Sequence, residues 1–282
     1  MKQVRRSKLT IIDGPLGTEL NARGVETPLP YWSAAAIEAA PEVIAEIHRD
    51  YANAGATVHT ANTFRTRRRT VGNRWKRWTQ QAVEIARNAV PPEHLVAGSL
   101  APLEDCYRPD LSPKDCSKEH REMADFLAQC GCDLILCETF PHSGEAIEAL
   151  RAGLATGLPT WLAMTAGPEG DWMSPDEMAQ TAQRAVDEGA SAVLVNCTPA
   201  SENHRWIGVL AGANLNVPIG GYANAGSVDD QIGWRSPSDP AVQRYVSLSE
   251  NWVRSGATVL GGCCGTGPAH LAALARLHYS TL

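Results

Sequence analysis

Eight times along this chain, a short run rich in β-branched and apolar residues gives way to a stretch with helical spacing. Residues 9–13 read as the first strand, with Gly14 to Gly17 as its turn. Residues 41–51 then carry apolar positions at helical intervals until Gly55 stops them. Strands at 57–62, 95–98, 133–137, 160–164, 192–196, 218–222 and 258–260 alternate with helices through 81–86, 118–129, 144–155, 206–211, 241–254 and 269–277. The helix between 164 and 192 opens on Ser174-Pro175-Asp176-Glu177, a serine N-cap with proline at the first position and glutamate at the third. Eight β-then-α units in 282 residues predict an α/β chain folded as one (β/α)8 TIM barrel, a single domain over 1–282. An open doubly wound sheet would carry a glycine fingerprint after an early strand, and Gly14-Pro15-Leu16-Gly17 does not supply one. In a barrel the long connections 23–32, 101–117 and 223–240 share one face, which makes them candidates for pocket walls or lids.

Composition removes several function classes. No window of about 18 uninterrupted apolar residues exists, so no membrane span is expected. The basic start runs straight into a core strand without the apolar region of a signal peptide. Eight cysteines in a chain of this length do not form a secreted disulfide pattern, and the expected compartment is the reducing cytoplasm. The net charge of −6 argues against nucleic acid as a partner. One local exception is the basic run of Arg65, Arg67, Arg68, Arg69, Arg74, Lys76 and Arg77, interleaved with Trp75 and Trp78. It reads as a solvated helix face with its tryptophans turned inward; the alternative is a patch for an anionic ligand or a partner subunit. Monomer and homo-oligomer both remain open.

The chemistry sits at predicted strand ends. Residues just past the strands are Asp13-Gly14, Asn62-Thr63, Glu138-Thr139, Cys197, Asn224 and Cys263-Cys264, and a barrel would gather them at one mouth. Thr63, Thr139 and Thr198 read as structural, capping the helices that follow. Cys197, Cys263 and Cys264 match the ligand count of a catalytic Zn²⁺ site with one open position. Buried spare thiols, or a disulfide between neighbours, are the plain alternative. Three thiolates leave such a centre at −1, a poor Lewis acid for hydrolysis but suited to holding a substrate thiol as a nucleophilic thiolate. The chain has no His-Glu-x-x-His helix, no Gly-x-Ser-x-Gly elbow and no phosphate-binding loop, and its eight histidines are scattered.

With these residues in view, the chain resembles the zinc-dependent homocysteine S-methyltransferases over nearly its whole length. The likeness rests on Asp13-Gly14-Pro15-Leu16-Gly17-Thr18-Glu19-Leu20, Pro30-Tyr31-Trp32-Ser33-Ala34, Thr60-Ala61-Asn62-Thr63-Phe64, Cys137-Glu138-Thr139-Phe140-Pro141 and Val195-Asn196-Cys197-Thr198. Its most specific part is the run from Gly261-Gly262-Cys263-Cys264-Gly265 to Leu271. The resemblance implies a zinc held by Cys197, Cys263 and Cys264, with Asn224 able to fill the fourth position until a substrate thiol displaces it. It implies that Glu138 pairs with the α-ammonium of homocysteine. Asp13, Gly14 and Asn62 join the substrate-binding set, and Trp32 sits beside the methyl donor, its ring a bed for a sulfonium or quaternary ammonium. Pro15, the glycine-rich Gly265-Thr266-Gly267 and the basic run after Phe64 depart from the family pattern.

The expected activity is methyl transfer to homocysteine, forming methionine, from a small donor such as S-methylmethionine or S-adenosylmethionine, with betaine second. Another thiol or selenol acceptor, or a separate corrinoid protein as donor, is the alternative enzyme. A closed structural zinc in a binding module is the non-enzymatic one.

Overall fold

The computed structural model describes residues 9–227, 230–234 and 238–280, with side chains to Leu277; the basic start of the chain and parts of the 223–240 connection lie outside the described residues. The strands are β1 (Thr10–Ile11), β2 (Val58–Thr60), β3 (Leu95–Leu100), β4 (Leu134–Phe140), β5 (Thr160–Met164), β6 (Ala192–Pro199), β7 (Ile219–Asn224) and β8 (Val259–Gly262). Each pairs in parallel with its neighbour in sequence, β1 pairs with β8, and an Ile12–Val58 bridge closes the ring between β1 and β2. The expected eight-unit barrel is therefore what the chain forms.

Helices surround it: α1 (Leu16–Ala22), α2 (Ala36–Ala39), α3 (Pro41–Asn53), α4 (Arg68–Val71), α5 (Trp75–Ala89), α6 (Ser117–Gln129), α7 (Ser143–Leu154), α8 (Pro175–Glu188), α9 (Ala200–Gly212), α10 (Asp239–Arg254) and α11 (Pro268–Ser280). Inside the ring, Ile12, Val58, Ala97, Leu134, Leu136, Ala163, Leu194, Tyr222 and Val259 fill the barrel, so it is packed rather than hollow. The opposite strand faces meet the helices in a larger apolar layer that includes Trp78, Trp206 and Trp252. Ser174 caps α8 as the sequence predicts, its side chain accepting the Glu177 N–H.

Five strands (β3, β4, β6, β7 and β8) run further than the sequence predicts, two of them with a change of register. β4 continues past Cys137 to Phe140 and β6 past Asn196 to Pro199, and the pairing register of each shifts over those added residues. The cause is a bulge in each strand, with Thr139 at φ 63° and Cys197 at φ 51°, both in the left-handed region that non-glycine residues avoid. Asn196 ties the two bulges together: its Oδ1 accepts the Thr139 N–H at 2.9 Å and its Nδ2 donates to Thr139 Oγ1 at 2.7 Å. Glu138 and Cys197 thus belong to bent strand ends rather than to the loops beyond them. The three threonines are structural but do not cap helices. Thr63 Oγ1 donates to the Ser99 carbonyl, and Thr198 Oγ1 accepts the Ala166 N–H.

The basic run is mostly committed within the fold. Trp75 and Trp78 are buried, Arg68 pairs with Glu122, Arg69 with Glu119 and Glu104, and Arg77 with Glu38. Arg67 is buried and donates to the carbonyls of Leu103, Phe64 and Glu104. Arg74 lies over the Tyr31 and Trp78 rings, and Lys76 over Trp75 and Phe126.

Replacing Asn196 by Ala strands the buried Thr139 N–H and is expected to lower unfolding free energy by about 1–3 kcal/mol. Losing the exposed α8 cap in Ser174→Ala costs about 1 kcal/mol. Urea denaturation of both variants, with metal removed, measures the two effects separately.

Candidate active site

The barrel gathers the predicted strand-end residues at the C-terminal ends of its strands. There a cavity of about 270 Å³ is lined by Asp13, Gly14, Trp32, Asn62, Glu138, Cys197, Cys263 and Cys264, among others. Cys197 comes from the bent end of β6, while Cys263 and Cys264 follow β8. The Cys197 and Cys264 sulfurs are 4.0 Å apart, as are those of Cys263 and Cys264, and all eight cysteines are free thiols. The Cys263 N–H bonds to the Ala223 carbonyl, and the Cys264 carbonyl accepts from Ala225, so β7 fixes the turn that presents both sulfurs. Gly265 closes that turn at φ +81°, and a Cβ there would meet Ala225 Cβ at 2.7 Å. The glycine-rich departure at 265 thus reflects a close approach of two loops.

The sulfurs act on one another. Hydrogen bonds from the Cys263 and Cys264 thiols hold the Cys197 thiol well below its usual range, whereas the other two are pushed up. Tyr107, from the connection between β3 and α6, places its hydroxyl 3.4 Å from the Cys197 sulfur. The Asn224 amide stands beside the trio, but its Nδ2 donates to the Cys197 carbonyl and its Oδ1 accepts from Gly226 N–H.

Two buried carboxylates complete the floor. Glu138, 9% exposed, receives hydrogen bonds from Ser99 Oγ and from the Tyr222 hydroxyl. Burial, reinforced by the nearby Cys197 charge, raises it from 4.5 to about 7. Asp13, 3% exposed, takes the Thr60 N–H on Oδ2 and the Thr60 hydroxyl on Oδ1, and burial raises it well above the usual carboxylate range. Gly14 has no room for a side chain, because a Cβ would come within 2.6 Å of the Tyr51 ring. Trp32 meets Phe64 edge to face at 6.0 Å. Asn62 lines the same cavity, yet both ends of its amide are held by Ser33, so its visible work is to pin the segment that carries Trp32.

Ser99, Thr60, Tyr222, Asn196 and Tyr107 are the functional neighbours that sequence reasoning missed. Thr60 and Asn196 lay inside the quoted motifs, but nothing in the sequence tells which strand-end side chain turns toward which partner. The histidines are less scattered than their spacing implies. His48 and His59 flank Asp13, and His59 Nε2 stands 3.1 Å from His94 Nδ1 with the two rings stacked. Burial lowers His48 to about 4 and His59 to about 3, so both are neutral at pH 7. With both Asp13 oxygens engaged by Thr60, this group supports a carboxylate more than it offers a second metal centre.

Comparison with known proteins places this geometry. A sequence model described as homocysteine S-methyltransferase matches residues 10–278. The chain is 31% identical to a homocysteine S-methyltransferase of Escherichia coli, over 95% of each protein. It is 27% identical to a selenocysteine methyltransferase of Astragalus bisulcatus, over 93% of this chain and 90% of the relative. The metallated form of the homocysteine methyltransferase MmuM of Escherichia coli superposes with a TM-score of 0.79 at 26% identity, covering 96% of this chain and 97% of that one. The chain belongs to the homocysteine S-methyltransferase family.

Proposed function

We propose that the protein moves a methyl group from a small donor cation to the thiol of homocysteine, forming methionine, with Zn²⁺ held by Cys197, Cys263 and Cys264. The observation that carries this reading is the meeting of three sulfurs, two pairs of them 4.0 Å apart, on the floor of a cavity that also holds two buried carboxylates. Zn–S bonds near 2.3 Å in a tetrahedral site separate sulfurs by about 3.8 Å, and the three sulfurs lie within 4.8 Å of one another, so the donor set suits the ion with a shift of no more than about 1 Å. Bound zinc would keep an incoming thiol deprotonated at neutral pH, and its anionic sulfur ligands would leave that thiolate electron-rich.

The chain's own residues do the rest. Glu138 receives the α-ammonium of homocysteine; Ser99 and Tyr222 fix the direction in which its oxygens point. Asp13 and Gly14 form the amino-acid end of the pocket. Trp32, steadied by Phe64 and Asn62, offers a ring face to the cationic methyl donor. Asn224 serves as fourth ligand in the resting site only by releasing the Gly226 N–H. In the transfer a new S–CH3 bond forms as the donor's bond to that methyl breaks, and the electron pair leaves on a donor sulfur or nitrogen that departs neutral. Because the leaving group is neutral, no general acid is needed. Holding the two reactants in line supplies part of the roughly 7–11 kcal/mol available to orientation. The selenocysteine methyltransferase relative favours a selenol as the second acceptor to test. The partners in this reading are small molecules, and eight unpaired thiols suit a reducing cytoplasm.

Purified protein is expected to hold one equivalent of zinc. Cys264→Ser should lose more zinc affinity than the ~10–100-fold typical of an outer-shell partner, and with it methionine formation. A turnover panel of homocysteine with S-methylmethionine, S-adenosylmethionine, betaine and dimethylsulfoniopropionate tests the acceptor: zinc-loaded protein that makes no methionine with any of them refutes it.

Glu138 gives a separate prediction. Its folded value near 7 lies above 4.5, so the native state holds that proton more tightly than the unfolded chain between those limits. Its stabilising contribution is complete below about pH 4.5 and is lost as pH rises through about 7, by up to about 3 kcal/mol. In metal-free protein, the stability difference between wild type and Glu138→Gln should fall across that window. A difference that stays flat contradicts the buried carboxylate described here.

A further inference from the structure

Arg65 is the basic-run arginine that the fold leaves uncommitted. It follows Phe64 at the rim of the cavity, its side chain only 15% exposed, and it lines the same space as Trp32, Tyr107 and the three cysteines. Its Nε is buried without a hydrogen-bond partner, and the guanidinium has no hydrogen bond to any described residue. Its charged neighbour is Asp105, at a loose 3.9 Å, and Asp105 is itself half exposed and accepts the Tyr107 N–H. The Phe64 ring lies 5.7 Å beneath the guanidinium. Arg67, two residues on, shows the contrast, with three backbone carbonyls on its fork. A mostly buried guanidinium that makes no hydrogen bond and faces a binding cavity is a site awaiting a planar anion.

We propose that Arg65 is the side chain that receives the carboxylate of a zwitterionic methyl donor, and so the residue that selects such donors over bare cations. This rests on the methyl-transfer reading above and names a residue that sets donor specificity within it. The polarity of the cavity assigns the carboxylate to the donor rather than to homocysteine. The acceptor's ammonium goes to the deep end at Glu138, and its carboxylate is attached to the same carbon. Arg65 stands beside Asp105 in the rim loop, whereas Glu138 is held among the barrel residues Ser99 and Tyr222. A fixed cation at the rim also repels a donor that has a positive centre and no carboxylate, so one side chain both attracts the right donor and rejects bare cations. As a donor enters, its carboxylate replaces the loosely held Asp105 on the fork.

The test pairs S-methylmethionine with its carboxyl methyl ester, which keeps the sulfonium and the ammonium and lacks only the carboxylate charge. Wild type should favour the free acid by about 10- to 100-fold in kcat/KM. Arg65→Met should erase that preference while leaving the KM for homocysteine unchanged. Asp105→Asn, which removes the same ion pair from its other side, should keep the preference. Three results overturn the proposal: an intact preference in Arg65→Met, a rise in homocysteine KM in its place, or equal losses in both variants, which would make the pair a structural latch. Calorimetric binding of the free acid and the ester to the Cys264→Ser protein reads the same preference without turnover. A protein that discriminates the two ligands through Arg65 but makes no methionine would therefore retain this site and lose the methyl-transfer reading.

Discussion

The site depends on two bent strand ends held against each other by one amide. Parallel strands alone would send Glu138 and Cys197 along the barrel wall with ordinary pleating. The bulges in β4 and β6 turn them toward a shared space, and the Asn196 bridge to Thr139 holds two disfavoured backbone conformations in place. A carboxylate and a cysteine sulfur thereby come to share one buried volume. Such strain persists only where the surroundings over-determine it, and here every residue from Leu134 to Phe140 and from Ala192 to Pro199 is buried.

Much of the fold was legible because its signal is periodic. Eight alternations of β-branched runs and helical patterns leave few ways to bury both sheet faces, and the strand order followed from that alone. The helix start at Pro175 was marked by that proline and by a serine cap. Bulges carry no such mark. Cys137-Glu138-Thr139 and Asn196-Cys197-Thr198 read as strand followed by loop, because what bends them is a side-chain bond between residues 57 apart in sequence.

The site was legible in its cysteines and not in the residues that support them. Adjacent cysteines at 263 and 264 are conspicuous because few structural roles call for them, whereas Ser99 and Tyr222 are ordinary strand residues until Glu138 lies between them. Asn62 shows what a sequence cannot tell of a polar strand-end residue: it lines the cavity, and its amide is bonded at both ends to Ser33. The basic run drew attention for its charge density, and most of that charge proved to be surface pairing over inward tryptophans. What separates Arg65 from its neighbours is the bond inventory of each guanidinium, which no composition reveals.

The ring closes between β1 and β2 through little more than the Ile12–Val58 bridge, and just above it the Asp13 carboxylate grips Thr60. Asp13 is thus both a wall of the cavity and a clasp on the barrel's thinnest seam. A ligand that engages it would tighten the closure itself, coupling occupancy of the pocket to how often the staves part. Damage at this position blurs the difference between a pocket that no longer recognises its guest and a vessel that no longer seals.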